Sequence, residues 1–305
     1  MVNLQHAAAG LLVAALALGA AAAGTASGTT PVAKISLGGR GGIVAPAGGS
    51  LWVTDTALNR LLRIDPATNA ITARIGAGIR PLGIAYGARS VWVASSVSST
   101  VVRIDPRRRK VQRRISSGIA PYDVAFGAGS AWATNESEGT TVRISPRRNR
   151  VVARIRGFRR PNGVTWAFGS IWVADLDRGR VSRIDPRRNR VTGRIAVPGS
   201  DWITASADSL WVSSETGKVF RVDPHTLRVT ATIPVGANPL ASAWINGELW
   251  VPNIDDDTVS IVDPATNTVR TSIPVGDGPV AVASFAGDAW ISHEGGELWR
   301  VSAAG

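Results

Sequence analysis

The chain has 305 residues, with 34 Lys+Arg against 22 Asp+Glu, 33 glycines, no cysteine and a charged fraction of 18%. So little charge beside 44% hydrophobic residues rules out a disordered polypeptide. The missing thiol excludes a disulfide scaffold, a thiolate zinc site, a cysteine nucleophile and a cysteine lipid anchor together. Stability has to come from packing, in two ordinary domains or in one closed all-β architecture.

In chain order, residues 7–23 read AAAGLLVAALALGAAAA, without a charge, and the small polar run GTASGTT follows. Ala21 and Ala23 supply the small side chains of a signal-peptidase site, and the run is short for a membrane span of roughly 20 residues. The reading is a signal peptide over 1–23, a linker over 24–31 and a folded domain over 32–305. This makes the protein secreted or held in the periplasm or cell envelope, with no membrane span after cleavage. The leading segment MVNLQH carries no Lys or Arg, which leaves an uncleaved N-terminal anchor as the alternative.

Beyond residue 31 one period organises the chain. Trp52, Trp92, Trp132, Trp172, Trp211, Trp250 and Trp290 follow one another at intervals of 39 or 40 residues. An Asp-Pro or Ser-Pro pair closes an apolar run after each of the first six: Asp65-Pro66, Asp105-Pro106, Ser145-Pro146, Asp185-Pro186, Asp223-Pro224 and Asp263-Pro264. Within a repeat, PLGIAYG, SVWVAS, TVVRID and KVQRRIS are short apolar or alternating runs between Gly, Pro or Asx turns, so each repeat holds four strands. A four-stranded unit of about forty residues is a propeller blade, because one small sheet cannot bury both faces without stacked neighbours. The tryptophans are expected to fill the gaps between blades.

The seventh repeat stops at its third strand, ELWRVS, while PVAKIS at 31–36 matches a fourth strand with no strands before it. The fold class predicted is therefore all-β: a seven-bladed β-propeller of four-stranded antiparallel blades. Its ring is closed by the N-terminal strand, residues 32–36, completing the last blade.

The repeat consensus, P-x-x-I/V-A-x-G-x-x-L/V/I-W-V followed by R-I-D-P-x-x-N-x-V/I, resembles the YVTN and YncE-like bacterial propellers. More distantly it is similar to the streptogramin B (virginiamycin B) lyase propellers. The resemblance runs from about Pro31 to the end and implies the fold far more than an activity. For a lyase it implies histidines after the proline that opens an inner strand, with carboxylates holding magnesium. The seven residues there are Gly42, Leu82, Tyr122, Asn162, Asp201, Leu240 and Val280, none of them histidine. Glu215 and Glu294 stand four residues after a blade tryptophan, where a lyase metal ligand can sit. The chain contains no G-x-S-x-G and no H-E-x-x-H.

Three residues after each tryptophan comes a polar ring: Asp55, Ser95, Asn135, Asp175, Ser214, Asn253 and His293. Such side chains cap hairpins, and they could equally line a tunnel mouth. The ligand-binding candidates are Asp55, Tyr122, Asn135, Asn162, Asp175, Asp201, Asn253 and His293, with Asp123 and Glu136 on nearby segments. His293 and Glu294 are adjacent on a strand and point to opposite sides, which disfavours a dyad. Asp255-Asp256-Asp257 lacks the glycine and ligand spacing of a calcium loop and reads as a solvated turn.

Residues 101–200 hold 22 basic and 7 acidic side chains, a local excess of +15. The turns Arg107-Arg108-Arg109, Arg147-Arg148 and Arg187-Arg188 concentrate it on one face of blades two to four, as a patch for an anionic partner or as solvated charge that guards edge strands. The function expected is an exported, non-catalytic binding or interaction module, monomeric, with no catalytic residue, metal or cofactor assigned. Its partner is expected to be a small polar ligand, another protein or an anionic cell-envelope polymer, and no nucleic acid. The alternatives are a lyase of streptogramin type using a divalent cation near Asp201, Glu215, His293 and Glu294, and a structural cell-envelope protein.

Overall fold

The computed structural model describes residues 30–303; the expected signal peptide and most of the linker lie outside them. Seven four-stranded antiparallel sheets form the ring of a β-propeller. Blades 1 to 5 occupy 41–76, 81–116, 121–156, 161–196 and 200–234, blade 6 runs from 243 to 274, and blade 7 from 279 to 302. Blade 3 shows the plan: Pro121–Gly127 lies innermost, then Ser130–Asn135, Thr140–Ser145 and, outermost, Arg150–Arg156. The N-terminal strand Ala33–Ser36 is the fourth strand of blade 7, paired from Ala33 with Arg300 to Ser36 with Glu297, as the orphan strand predicted.

Local sequence explains each layer. Second strands such as SVWVAS are buried on both faces and read as continuous apolar runs, whereas outer strands such as KVQRRIS expose most of their residues. Except in blade 5, hairpins between the first and second strands turn on two residues with positive φ, among them Ala128 at 47° and Gly129 at 70°, the geometry of a type I′ turn.

Each seam between blades encloses one apolar cluster with one repeat tryptophan in it. Trp132 packs with Val164, Ile171 and Val173 of blade 4. Trp172 packs with Ile203, Leu210 and Val212 of blade 5. Six of the seven tryptophans are fully buried and Trp250 is 5% exposed. The indole N–H groups of Trp52, Trp92, Trp132 and Trp172 each donate to the carbonyl five residues earlier, at 3.0 or 3.1 Å, so the polar atom of a buried ring is satisfied.

The R-I-D-P arginine adds a polar fastener. Arg143 lies over Trp132 at 5.2 Å and donates to Pro186 O at 2.7 Å and Asn189 Oδ1 at 3.2 Å in the next blade. Arg103, Arg221 and Arg300 do the same toward Asn149, Asn267 and Asn69, the last joining blade 7 to blade 1. The fastener needs an Asn at the left-handed last position of the turn. Arg109 and Leu227 occupy that position in blades 2 and 5 with φ of 57° and 59°, and Arg63 and Arg183, which face them, bond threonines of their own blades instead.

Candidate functional site: the tunnel mouth

A bulge in the inner strands builds the site. In blade 3 Pro121 pairs with Asn135 and Val124 with Ala133, which leaves Tyr122 and Asp123 outside the ladder. The same shift recurs in blades 1, 2, 4, 5 and 7. Bulges re-aim side chains, and here they put the residue after the opening proline at the tunnel. The tunnel end beside the second-to-third hairpins holds a cavity of about 210 Å³. Its lining includes Arg40, Arg80, Leu82, Tyr122, Trp202, Leu240, Val280 and Glu294. That is below the usual 300–1,000 Å³ of a drug-sized pocket, so the cavity suits a small ligand or one end of a longer one.

At the bulge register the tunnel end has two sides. Leu82, Leu240 and Val280, with Gly42, form an apolar arc from blades 1, 2, 6 and 7, whereas blades 3, 4 and 5 present Tyr122, Asn162 and Asp201 at the same register. Asn162 Nδ2 donates to Asp201 Oδ1 at 2.8 Å, and both residues are largely buried. The Asn162 Oδ1 atom has no hydrogen-bond partner. Behind them Asp123 accepts from its neighbour Val124 N at 2.8 Å and from Val164 N of blade 4 at 2.9 Å. Gly83 makes room for it, since a Cβ there would stand 2.2 Å from Asp123 Oδ1.

Burial pushes the Asp123 carboxyl up to about 7, against the two backbone N–H bonds that favour its ionised form. Burial likewise raises Asp201 to about 6, and the nearby Glu215 and Glu136 add to the shift while Asn162 and Arg160 oppose it. The Asp201 charge, then burial, lifts the Tyr122 phenol well above its usual range, so it stays a hydroxyl donor. Around the rim Arg40 pairs with Glu294, and Arg160 reaches Glu136 at 3.4 Å and Asp177 at 3.3 Å. Arg80 is exposed and has no acidic partner among the described residues.

Of the eight expected ligand-binding residues, Tyr122 lines the cavity and Asn162 and Asp201 stand beside it at the same register. Asp55, Asn135, Asp175, Asn253 and His293 do not line it and are at most 1% exposed. The polar ring is consumed by backbone satisfaction. Asp55 accepts from Arg40 N and Leu58 N, and Asp175 from Arg159 N and Arg160 N. Asn135 donates to Ser117 O, and Asn253 accepts from Gly236 N. Each ties the end of a second strand to the segment arriving from the previous blade, because buried amides and carbonyls there must be paired.

His293 breaks the pattern: both ring nitrogens lack partners and its ring lies 5.0 Å from Trp299. Burial drives its pKa down to about 4, so it is neutral in the fold, and its contribution to stability is complete above 6.5 and lost as pH falls toward 4. A divalent cation does not fit this donor set. Glu294 is engaged by Arg40, Glu215 is exposed, His293 is sealed away, and the described residues contain no group of three metal-ligating side chains.

Sequence reasoning missed Trp202, Arg40 and Arg80. The signal was an arginine directly before the opening residue of inner strands in blades 1, 2 and 4, which is legible only once the bulge is known to face the tunnel.

The arginine turns lie on the opposite face, between third and fourth strands. Arg107, Arg108, Arg147, Arg148, Arg187 and Arg188 are all exposed, and Arg109 reaches back to Thr72 O of blade 1 at 3.3 Å.

No family model matches the chain, and no curated protein matches it in sequence. Among solved structures it is similar to Kuenenia stuttgartiensis hydrazine synthase, with a TM-score of 0.77 at 14% identity over 90% of this chain and 98% of that one. A likeness at that identity establishes the seven-bladed fold and carries no chemistry across.

Proposed function

We propose that the protein is a non-catalytic binding module that takes a small amphipathic ligand in its tunnel mouth. The observation that carries this reading is the sidedness of the bulge register around the tunnel. Six inner strands carry the bulge and blade 6 offers Leu240 at the matching place, and blades 3 to 5 alone fill that position with hydrogen-bonding groups while the others keep it apolar. An apolar wall with a few convergent polar groups is what small-molecule sites require, because burial supplies affinity and the polar groups fix orientation. The ligand's polar end faces Tyr122 and Arg80, and its apolar end faces Leu240 and Val280. The repeat similarity to YVTN and YncE-like propellers agrees with a binding role, and the export signal read over 1–23 supports a role outside the cytoplasm. The lyase alternative finds no donor set to support it.

Trp202 provides the test. It is partly exposed in the cavity while the seven ring tryptophans are sealed. A ligand from a panel of small amphipathic molecules should quench it and raise the melting temperature without being consumed. Leu240→Arg, which plugs the apolar wall, should abolish both effects. A melting shift that survives the plug would place the ligand elsewhere, and conversion of the ligand would replace binding with catalysis.

A further inference from the structure

The turn face contains its own control for what the arginines do. In every Asp-Pro turn the fold uses the aspartate and the backbone: Asp105 Oδ1 accepts from the N–H groups of Arg107 and Arg108, and Asp185 Oδ1 from those of Arg187 and Arg188. Asp65 and Asp263 make the first of these bonds to Ala67 and Ala265, and Asp223 makes both to His225 and Thr226. The backbone N–H groups therefore make the turn whatever side chains stand there, although at the second position Thr226 and Thr266 add a bond from Oγ1 to their own aspartates. Blades 1 and 6 place Ala-Thr there, blade 5 His-Thr, and blades 2, 3 and 4 Arg-Arg.

Those six arginines project into solvent. Arg108 and Arg188 keep 84% and 65% of their side-chain surface, and among the described residues their acidic neighbours are their own turn aspartates at 4.0 and 3.6 Å. Blade 3 has Ser145 in the aspartate's place, so the middle pair, Arg147 and Arg148, has no acid in its turn. Each pair borders a shallow groove at the same place on its blade, and the groove of blade 2 also contains Arg89 and Tyr86, which is 43% exposed. Trp166, 37% exposed, stands at Tyr86's register in blade 4.

We propose that this arc is a docking surface for a linear anionic glycan. Three equivalent cationic grooves on consecutive blades match a chain whose negative charges recur along its length, and exposed aromatic faces beside them suit sugar rings. Among the residues lining the three grooves Val152, 42% exposed, is the one large aliphatic side chain, too little for a membrane-inserting surface, and the export signal read from the sequence agrees with a glycan partner outside the cytoplasm. The site is separate from the tunnel and does not depend on it.

The test uses the full chain and polygalacturonate. Arg108→Thr, Arg148→Thr and Arg188→Thr together restore the residue that blades 1 and 6 already carry, so the fold should melt unchanged. Affinity should fall about tenfold, as three exposed charge contacts of modest strength predict, with a weaker dependence on salt. Arg74→Thr, Lys218→Thr and Arg228→Thr together remove the same charge elsewhere and should change affinity less than about twofold. Should the triple variant prove unstable, the pair Arg147→Ala and Arg148→Thr is to show the same direction from the middle groove alone. Equal losses from the two triple variants would reduce the effect to net charge and overturn the proposal. So would tighter binding to oligothymidylate or to phosphatidylglycerol vesicles than to polygalacturonate.

Discussion

Blades 3 and 4 meet across a seam fastened at both ends, while blades 4 and 5 meet across one that has lost both fasteners. At the first, Thr134 Oγ1 donates to Asn162 O at 2.6 Å near the tunnel, and Arg143 grips Pro186 and Asn189 near the turn face. At the second, Ala174 and Leu227 replace Thr134 and Asn189, and Arg183 is left 6.0 Å above Trp172 with a bond only inside its own blade. Side-chain hydrogen bonds that do cross there are Ser200 Oγ to Arg180 O at 3.1 Å and Asn162 to Asp201 beside the tunnel. Repetition thus marks what holds the ring, and departure from repetition marks where the proposed site lies. The blade 6–7 seam, with Pro252 in place of Thr134 and Ile261 in place of Arg143, lacks these fasteners too, but the seam of blades 4 and 5 alone of the two carries a polar pair at the bulge register.

The largest effect should come from the apolar cores of the two seams. Trp172→Ala is expected to cost about 3–5 kcal/mol through lost burial and a cavity, with Trp132→Ala toward the lower end because polar fasteners still span its seam. Denaturant unfolding of both variants checks the order, and a greater loss at Trp132 would break the comparison.

Next comes the carboxyl at the unfastened seam. Asp201 has its folded pKa raised to about 6 from 3.8, so its favourable contribution is complete below the unfolded value and disappears as pH rises through the folded one. Asp201→Asn should therefore gain on the native protein between about pH 4 and 6 and hold that gain above, by up to roughly 3 kcal/mol for a two-unit shift. Melting curves across this window test it, and a constant difference would show that Asp201 does not titrate with folding.

The fasteners themselves are worth less. Arg143→Met should cost about 1–2 kcal/mol by removing two hydrogen bonds across a seam and leaving a turn carbonyl unpaired, whereas Arg183→Met should cost under about 0.5 kcal/mol. Equal costs would mean that both arginines act only through their tryptophans.

The smallest effect is a gain. Leu227 sits at φ 59°, a conformation that Asn tolerates and Leu does not favour, opposite the idle Arg183. Leu227→Asn should stabilise the chain by about 0.5–1 kcal/mol, and the gain should shrink in an Arg183→Met background. A gain that is unchanged there would come from the backbone alone.

The sequence by itself determined the ring. A forty-residue period, alternating strands, a tryptophan in each copy and an orphan strand matched to a missing one leave a single closed arrangement, because a blade cannot bury its faces alone. It also exposed Tyr122, Asn162 and Asp201, since they break a register that the repeat otherwise fills with Gly, Leu or Val. Tertiary structure decided which polar residues are available. Asp55, Asn135 and Asp175 have the composition of a binding ring, yet loops from the preceding blade claim their hydrogen bonds, and those loops are distant from the hairpins in the period that reveals them. Trp202 reaches the tunnel where a bulge turns its inner strand, and Arg40 and Arg80 reach it from the residue just before such a bulged strand. A bulge is a property of how two strands pair, and no residue type announces it.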